Sequence, residues 1–224
     1  HPTKNLKLVG VTGTNGKTST TYMLKHILEN CGYKTGLIGT IQNMVGQQAI
    51  PTNNTTPGMF DLYALFAKMA KAGCSYAVME VSSHSLDQRR VEGLQFEVAA
   101  FTNLTQDHLD YHKTMEKYYE AKKKLFKMCK TAVVNMDDLY GLRLLQELGR
   151  ETKARLLSYS AGGSGADYTA KNIAYRPDGV DYDFCGAAAP EHISLKTGGR
   201  FSVYNSMLAA ACADALGVEP AKAA

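Results

Sequence analysis

The sequence predicts an α/β fold in which a doubly wound, mostly parallel sheet carries a small antiparallel β extension. Three observations point there. Short apolar runs of strand length alternate with stretches of helical periodicity from residue 6 to about residue 159, the order that sets parallel strands side by side with helices on both faces. The first apolar run passes directly into a glycine-rich turn, Gly13 to Gly16, that opens a helix. After Ser160 the helical pattern gives way to short alternating runs, which read as antiparallel strands.

Residues 6–11 form a buried first strand, and an amphipathic helix runs from about Lys17 to Cys31, with Gly32 placed to cap it. A second strand covers 35–38, followed by a hairpin at 41–50 with Gly46 near its tip. Pro57 suits the first turn of the next helix, 59–72, which stops at Gly73. A strand at 76–79 ends at Glu80, and 98–102 is the fourth strand. A helix at 115–129, a strand at 131–135, a helix at 139–148 and a strand at 155–159 continue the alternation. A flexible turn at 161–165 leads to short strands at 168–175, 180–184 and 192–195, and a last helix spans 203–216. One domain over 1–224 is therefore expected, with a core at 6–160 and the antiparallel strands and closing helix at 161–217. The tail 219–224 reads as a boundary or a flexible segment.

Composition narrows the function classes. The 224 residues are 45% hydrophobic and 21% charged, with 20 Gly and 6 Pro, which fits an ordinary globular chain and excludes disorder, collagen-like repeats and coiled coil. No window approaches the roughly 18 apolar residues of a membrane span, and the start at His1-Pro2-Thr3 lacks the apolar core of a signal peptide. A cytoplasmic location without membrane contact is expected. The five cysteines, at 31, 74, 129, 185 and 212, are scattered and read as reduced thiols, neither a disulfide framework nor a zinc cluster. A net charge of +4 suits a polyphosphate ligand and is too small to argue for nucleic acid.

The most specific motif is Gly13-Thr14-Asn15-Gly16-Lys17-Thr18-Ser19, between a strand and a helix. Its glycines let successive N–H groups face phosphate oxygens at a helix N-terminus, Lys17 would neutralise the terminal phosphates, and the Thr18 hydroxyl can ligate magnesium. The general pattern would place its first glycine at position 11, where Val11 stands, so this is a variant loop of the P-loop type. A glycine turn with a solvated lysine is the plainer alternative.

Glu80, at the end of a strand whose C-terminal edge gathers ligands, offers the hard oxygen that magnesium prefers; it would otherwise cap the following turn. His108 and His112 stand four apart, but no His-Glu-x-x-His and no third ligand accompany them, so one histidine beside a magnesium fits better than zinc. Lys122 falls in the middle of an apolar helix face, with Met115, Tyr118, Tyr119, Leu125, Phe126 and Cys129 within about 60° of it, while Lys123 and Lys124 are turned away. A lysine there must snorkel, pair, lose its charge or be modified. The clusters Lys122-Lys123-Lys124 and Arg89-Arg90 otherwise read as solvated faces.

Taken together, the segments Thr12-Gly13-Thr14-Asn15-Gly16-Lys17-Thr18, Asn54-Thr55-Thr56-Pro57, Glu80-Val81-Ser82-Ser83-His84, Asp107-His108-Leu109-Asp110-Tyr111-His112 and Phe201-Ser202-Val203-Tyr204-Asn205 resemble, in order, the motifs of the Mur ligases. These are ATP-dependent amide-bond-forming enzymes of peptidoglycan precursor synthesis. The likeness is closest to the branch that adds a diamino acid, meso-diaminopimelate or L-lysine, to UDP-MurNAc-L-Ala-D-Glu. It implies that this chain is the central ATP-binding domain, with the N-terminal uridine-binding and C-terminal amino-acid-binding domains absent.

The resemblance further implies that residues 13–19 and Asn205 bind ATP, where the family more often carries a second asparagine at the position of Ser202. It implies two magnesium ions, held by Thr18, Glu80 and His108 and by a carbamylated Lys122 in the context Tyr118-Tyr119-Glu120-Ala121-Lys122. Asn54, Thr55, Thr56, Ser82, Gln88 and Arg90 would bind the nucleotide-sugar peptide, and Lys17, Glu80, His108 and Lys122 would carry the catalysis. Two alternatives stay open: a sister ligase such as folylpolyglutamate synthase, and a noncatalytic nucleotide-binding module. A GTPase is a poorer fit, since no Asn-Lys-x-Asp segment occurs; Asn135-Met136-Asp137-Asp138 is only superficially like one.

Overall fold

The computed structural model describes residues 3–163 and 165–218. The expected tail segment 219–224 and Ser164 of the expected flexible turn lie outside the described residues. The strands, in chain order, are β1 (Lys7–Thr12), β2 (Thr35–Ile38), β3 (Asn43–Val45), β4 (Gln48–Ile50), β5 (Tyr76–Glu80), β6 (Phe96–Phe101), β7 (Cys129–Asn135), β8 (Arg155–Ser160), β9 (Tyr168–Arg176), β10 (Gly179–Cys185) and β11 (Glu191–Leu195). They form one sheet in the order β11-β10-β9-β8-β7-β6-β1-β5-β2-β3-β4. The helices are α1 (Lys17–Asn30), α2 (Met59–Lys71), α3 (Ser83–Asp87), α4 (Leu109–His112), α5 (Met115–Lys123), α6 (Leu139–Glu151) and α7 (Arg200–Ala215).

Alternation along each strand divides the core into two layers, because successive side chains leave a strand on opposite faces. Leu8, Ala77, Met79, Ala99 and Phe101 pack with Leu62, Phe66 and Met69 of α2, Tyr118 and Tyr119 of α5, and Leu144 and Leu148 of α6. Val9, Val11, Val78, Val98 and Ala100 face the other way, against Leu24 and Leu28 of α1 and Met207 and Leu208 of α7. Helix α7 is buried almost all round from Val203 to Ala213, and its run Ala209-Ala210-Ala211 is small enough to let α1 and the sheet approach closely. Each fully buried Leu or Phe in these layers contributes about 1.5–3 kcal/mol.

Beside β1 lie β5 on one side and β6 on the other, both parallel to it. The chain leaves β1 to build outward on the β5 side and then crosses over to β6. The C-terminal ends of β1, β2, β5, β6 and β7 therefore open on one edge of the sheet, where doubly wound folds form their ligand crevice.

Several expectations needed correction. Pro57 precedes α2, which is capped at Gly58, and so sits just outside the first turn. The expected helix 115–129 breaks at Lys123: a 3-10 segment covers Lys124–Met128, and Cys129 begins β7. β9 joins β8 in parallel through Tyr159 and Ser160, so within the C-terminal extension the antiparallel pairings begin at β9–β10 and continue at β10–β11. α7 begins at Arg200, three residues earlier than expected. Lys123 is 5% exposed and does not belong to a solvated face; Lys124 does.

Candidate active site

The turn after β1 is held by the segment that follows β6. Thr14 N–H donates to the Asn103 carbonyl at 2.8 Å. Asn15 N–H donates to Asn103 Oδ1 at 3.0 Å, and Asn103 Nδ2 returns a bond to the Asn15 carbonyl at 3.1 Å. The Thr102 hydroxyl donates to the same carbonyl at 2.6 Å. The loop is thus braced in shape by a neighbouring strand end, which spares a bound anion the cost of ordering it.

Two glycines are required sterically. A Cβ on Gly13 (φ 145°) would lie 1.8 Å from Thr102 Oγ1, and one on Gly16 (φ 88°) 2.3 Å from Asn205 Oδ1. Gly13→Ala is expected to displace the brace, lowering ATP affinity at least about tenfold and stability by roughly 1–3 kcal/mol; calorimetry and thermal unfolding of the variant measure both.

Lys17 folds back over the loop, its Nζ donating to the carbonyls of Gly13 (2.9 Å) and Thr14 (2.8 Å). Burial pulls its pKa down, opposed by the charges of Glu80 and Asp107. Thr18, the first-turn neighbour, donates its hydroxyl to Glu80 Oε2 at 3.0 Å. Glu80 is 1% exposed and is fixed by a residue that sequence reasoning missed: Thr40 donates its N–H to Oε1 (2.8 Å) and its hydroxyl to Oε2 (3.1 Å). The signal for Thr40 was its place just past the end of β2, on the same sheet edge. Glu80 does not cap the following helix; Ser82 does, accepting from Ser85 N–H at 3.1 Å. A buried carboxylate surrounded by two hydroxyls beside a phosphate-type loop is an all-oxygen donor set suited to magnesium.

Lys122 is 2% exposed, so it does not snorkel. Its Nζ donates to the Gly13 carbonyl at 2.8 Å and lies 4.6 Å from the centre of the Tyr118 ring. Two lysine nitrogens thus share one carbonyl oxygen. Burial, and then the charge of Lys17, hold the Lys122 amine well below the usual lysine range, with Asp107 opposing. Tyr118 ties this corner to the loop through its hydroxyl, 3.2 Å from Thr14 Oγ1.

The histidines lie alongside. His108, in a left-handed conformation (φ 52°), is exposed, and its ring is 5.9 Å from that of Tyr118. His112 is buried, stacks on Tyr118 and bonds Ser83 Oγ at 2.9 Å; burial first, then neighbouring His84, lowers its pKa. Its role is structural. Among the described residues, no three His, Cys, Asp or Glu side chains converge as metal ligands.

The segment of Asn54, Thr55 and Thr56 meets the same edge. The Thr55 hydroxyl lies 3.0 Å from Thr40 Oγ1, to which it can donate while Thr40 donates to Glu80, and the buried Thr56 hydroxyl links the Glu80 carbonyl to the Ser82 N–H (2.8 and 3.0 Å). Arg90 is not a solvated partner of Arg89: it donates to the Thr56 carbonyl (2.8 Å) and to Gln88 Oε1. Ser82, Gln88 and Arg90 therefore flank Thr56, while Asn54 and Gln88 remain exposed.

On the opposite flank of the loop, a cavity of about 300 Å³ is lined by Asn15, Asn103, Asp137, Tyr159, Tyr204 and Asn205, among others. Asn205 thus stands beside the loop, its Oδ1 against Gly16. Asp137, which sequence reasoning placed only in a superficial motif, anchors the rim. Burial raises its carboxyl, but donors from Ser160, Tyr204, Gly162 and Ala161 outweigh it and hold it below the usual range.

A family model described as the Mur ligase middle domain matches residues 11–213. The chain is 49% identical over 219 residues to the UDP-N-acetylmuramoyl-L-alanyl-D-glutamate--2,6-diaminopimelate ligase of Caldanaerobacter subterraneus subsp. tengcongensis, covering 97% of this chain and 44% of that protein. It is 44% identical over 224 residues to the corresponding ligase 1 of Clostridium acetobutylicum, with coverage of 99% and 45%. A solved structure of a UDP-N-acetylmuramoyl-L-alanyl-D-glutamate--2,6-diaminopimelate ligase superposes with a TM-score of 0.88 at 30% identity, over 98% of this chain and 45% of that one. Folylpolyglutamate synthase of Mycobacterium tuberculosis, solved with ADP and AMPPCP, superposes with a TM-score of 0.78 at 17% identity, over 99% and 58%, a likeness of fold alone. The chain spans less than half the length of the curated relatives it matches. The braced loop, the Thr18–Glu80 pair and a match running through nearly all of the sheet agree: this chain belongs to the Mur ligase family, as its middle domain.

Proposed function

We propose that this chain is the ATP-binding part of a longer cytoplasmic ligase that joins 2,6-diaminopimelate to UDP-MurNAc-L-Ala-D-Glu, the uridine-binding and amino-acid-binding domains being supplied by the rest of that protein. The observation that carries the reading is the 3.0 Å contact between the Thr18 hydroxyl and the buried Glu80 carboxylate, beside a loop that presents Lys17. The choice of diamino acid rests on the relatives' names.

In this reading the N–H groups of residues 13–18 and the Lys17 ammonium bind the terminal phosphates of ATP, and Asn205 with the adjoining cavity takes the base. Asn54, Thr55, Thr56, Ser82, Gln88 and Arg90 hold the second substrate so that its terminal carboxylate meets the γ-phosphorus. A carboxylate oxygen attacks, the bond to the β–γ bridging oxygen breaks, and ADP leaves an acyl phosphate. The diamino acid's amine then attacks the acyl carbon, phosphate departs, and the amine's proton passes to water. Lys17 stabilises the charge that gathers on the transferring oxygens. Thr18 and Glu80 would hold one magnesium, and His108 with a carbamylated Lys122 a second; when bound, these ions neutralise phosphoryl charge as Lewis acids.

The depressed basicity of Lys122 supports carbamylation, since only a neutral amine adds to CO₂. The addition forms an N–C bond, releases one proton from the neutral amine and replaces that amine by a carboxylate-like anion. That anion would suit both Lys17 and a metal.

The test is the parent-length protein given ATP, magnesium, UDP-MurNAc-L-Ala-D-Glu and either diaminopimelate or L-lysine. One phosphate released per amide formed with diaminopimelate, and a loss of at least about 100-fold in Lys122→Ala, is the expected result. Phosphate release independent of the nucleotide-sugar peptide, or a Lys122→Ala protein of full activity, contradicts it.

A further inference from the structure

We infer that the ion-pair ladder between α5 and α6 is a positioning device that sets the rotation of α5 and so delivers Lys122 to the phosphate loop. The inference rests on the role given to Lys122 above. Lys123 donates to Glu147 Oε2 at 2.6 Å and to Glu151 Oε1 at 2.7 Å. Glu147 also accepts the Tyr119 hydroxyl at 2.8 Å and Arg143 Nε at 2.7 Å. The other two Arg143 nitrogens donate to the two oxygens of Glu116 at 2.7 and 2.6 Å, and the guanidinium stands 4.3 Å from the centre of the Tyr119 ring. Glu116, Tyr119 and Lys123, spaced three and four apart on α5, thus interlock with Arg143, Glu147 and Glu151, spaced four apart on α6.

On the helical wheel the three α5 residues of the ladder lie about 60–120° from Lys122, at 100° per residue. They fix one face while Lys122 works from another. A rotation of about 30°, at a side-chain radius of ~5–6 Å, would carry the Lys122 Nζ about 3 Å, out of hydrogen-bond reach of the Gly13 carbonyl. Apolar packing alone resists that rotation poorly, because it is non-directional, and α5 is only nine residues long before it tightens into the 3-10 segment. Charge-assisted bonds of fixed geometry supply the missing constraint. Of the ladder's charged members only Lys123 is buried, whereas Glu116, Arg143 and Glu151 are more than a third exposed, so the ladder adds little stability and acts through the directions of its bonds. None of the six residues is bonded to the loop or to Glu80, so their effect is exerted through the α5 residues that are, Lys122 at the Gly13 carbonyl and Tyr118 at Thr14.

The experiment measures carbamate formation at Lys122 by ¹³C NMR of this chain in ¹³C-bicarbonate with ATP and magnesium, beside thermal unfolding and ATP affinity. Glu147→Ala is expected to weaken bicarbonate uptake at Lys122 at least about tenfold, with ATP affinity changed less than about threefold. Glu147→Gln keeps one acceptor oxygen, enough for Tyr119 and Lys123 or for Arg143 but not for both, and should restore part of the uptake. Arg143→Lys, a milder change that loses the fork on Glu116, should fall between them and serves if Glu147→Ala does not fold. Lys130→Ala, which breaks the exposed Lys130–Glu97 pair, should change nothing. Unaltered uptake in folded Glu147→Ala or Arg143→Lys overturns the positioning role, leaving the ladder as a structural joint. A carbamate signal missing from the unsubstituted chain as from Lys122→Ala overturns instead the reading of Lys122, and this inference with it.

Discussion

Replacing Lys17 by alanine is expected to weaken the binding of ATP with magnesium at least about 100-fold, roughly 2.7 kcal/mol, while leaving the fold intact. The ammonium is the only lysine charge carried by the loop itself, and charge-assisted bonds to phosphate are each worth about 1.5–3 kcal/mol. Without nucleotide, Lys17 satisfies itself on the carbonyls of Gly13 and Thr14, and burial already lowers its pKa. Removing it relieves a desolvated cation, so the melting temperature without ligand should stay constant or rise slightly. A second consequence follows at Lys122, whose pKa is depressed in part by Lys17. With that charge gone, Lys122 should hold its proton more firmly and take up CO₂ less readily. Calorimetry and thermal unfolding separate the effects: loss of affinity together with loss of folding would assign Lys17 a structural role instead.

Glu80→Gln is expected to abolish the dependence of ATP binding on magnesium, cutting affinity at saturating magnesium by at least about tenfold and leaving magnesium-free affinity unchanged. The substitution is nearly isosteric. Its amide oxygen can still accept the Thr40 N–H that Glu80 Oε1 now accepts, and the hydroxyls of Thr18 and Thr40 can turn to accept from its NH₂. What disappears is the anionic oxygen that a hard cation requires. Titrating magnesium into the variant with ATP present measures this directly. A magnesium dependence equal to that of the unsubstituted chain would remove Glu80 from the metal site.

The parts legible in the sequence were those whose chemistry is local. The first strand, the glycine turn and α1 are consecutive, so each N–H of the cradle could be inferred from position. Glu80 was legible as the last residue of an apolar strand, and Lys122 because a helical wheel places a cation among aromatics. What stayed hidden depends on long-range partners. Thr40 is bound to Glu80 forty residues away, and Lys123 is buried because Glu147 and Glu151 on another helix neutralise it. The helices α3 and α4, of five and four residues, are too short to show a period. The parallel start of β9 rests on only two residue pairs, too few to leave a pattern. Pro57 is compatible with a helix start and with the residue just outside one, and only Gly58 decides between them.

The central claim is that the turn after β1 holds the terminal phosphates of ATP against the Thr18–Glu80 pair. A crystal of this chain soaked with magnesium and a non-hydrolysable ATP analogue tests it most directly. The account predicts the β- and γ-phosphates within hydrogen-bond reach of the N–H groups of residues 13–18 and of Lys17 Nζ, with the metal on the hydroxyl of Thr18 and the base in the cavity beside Asn205. Phosphates bound away from that turn, or a metal held without Thr18 and Glu80, would contradict it.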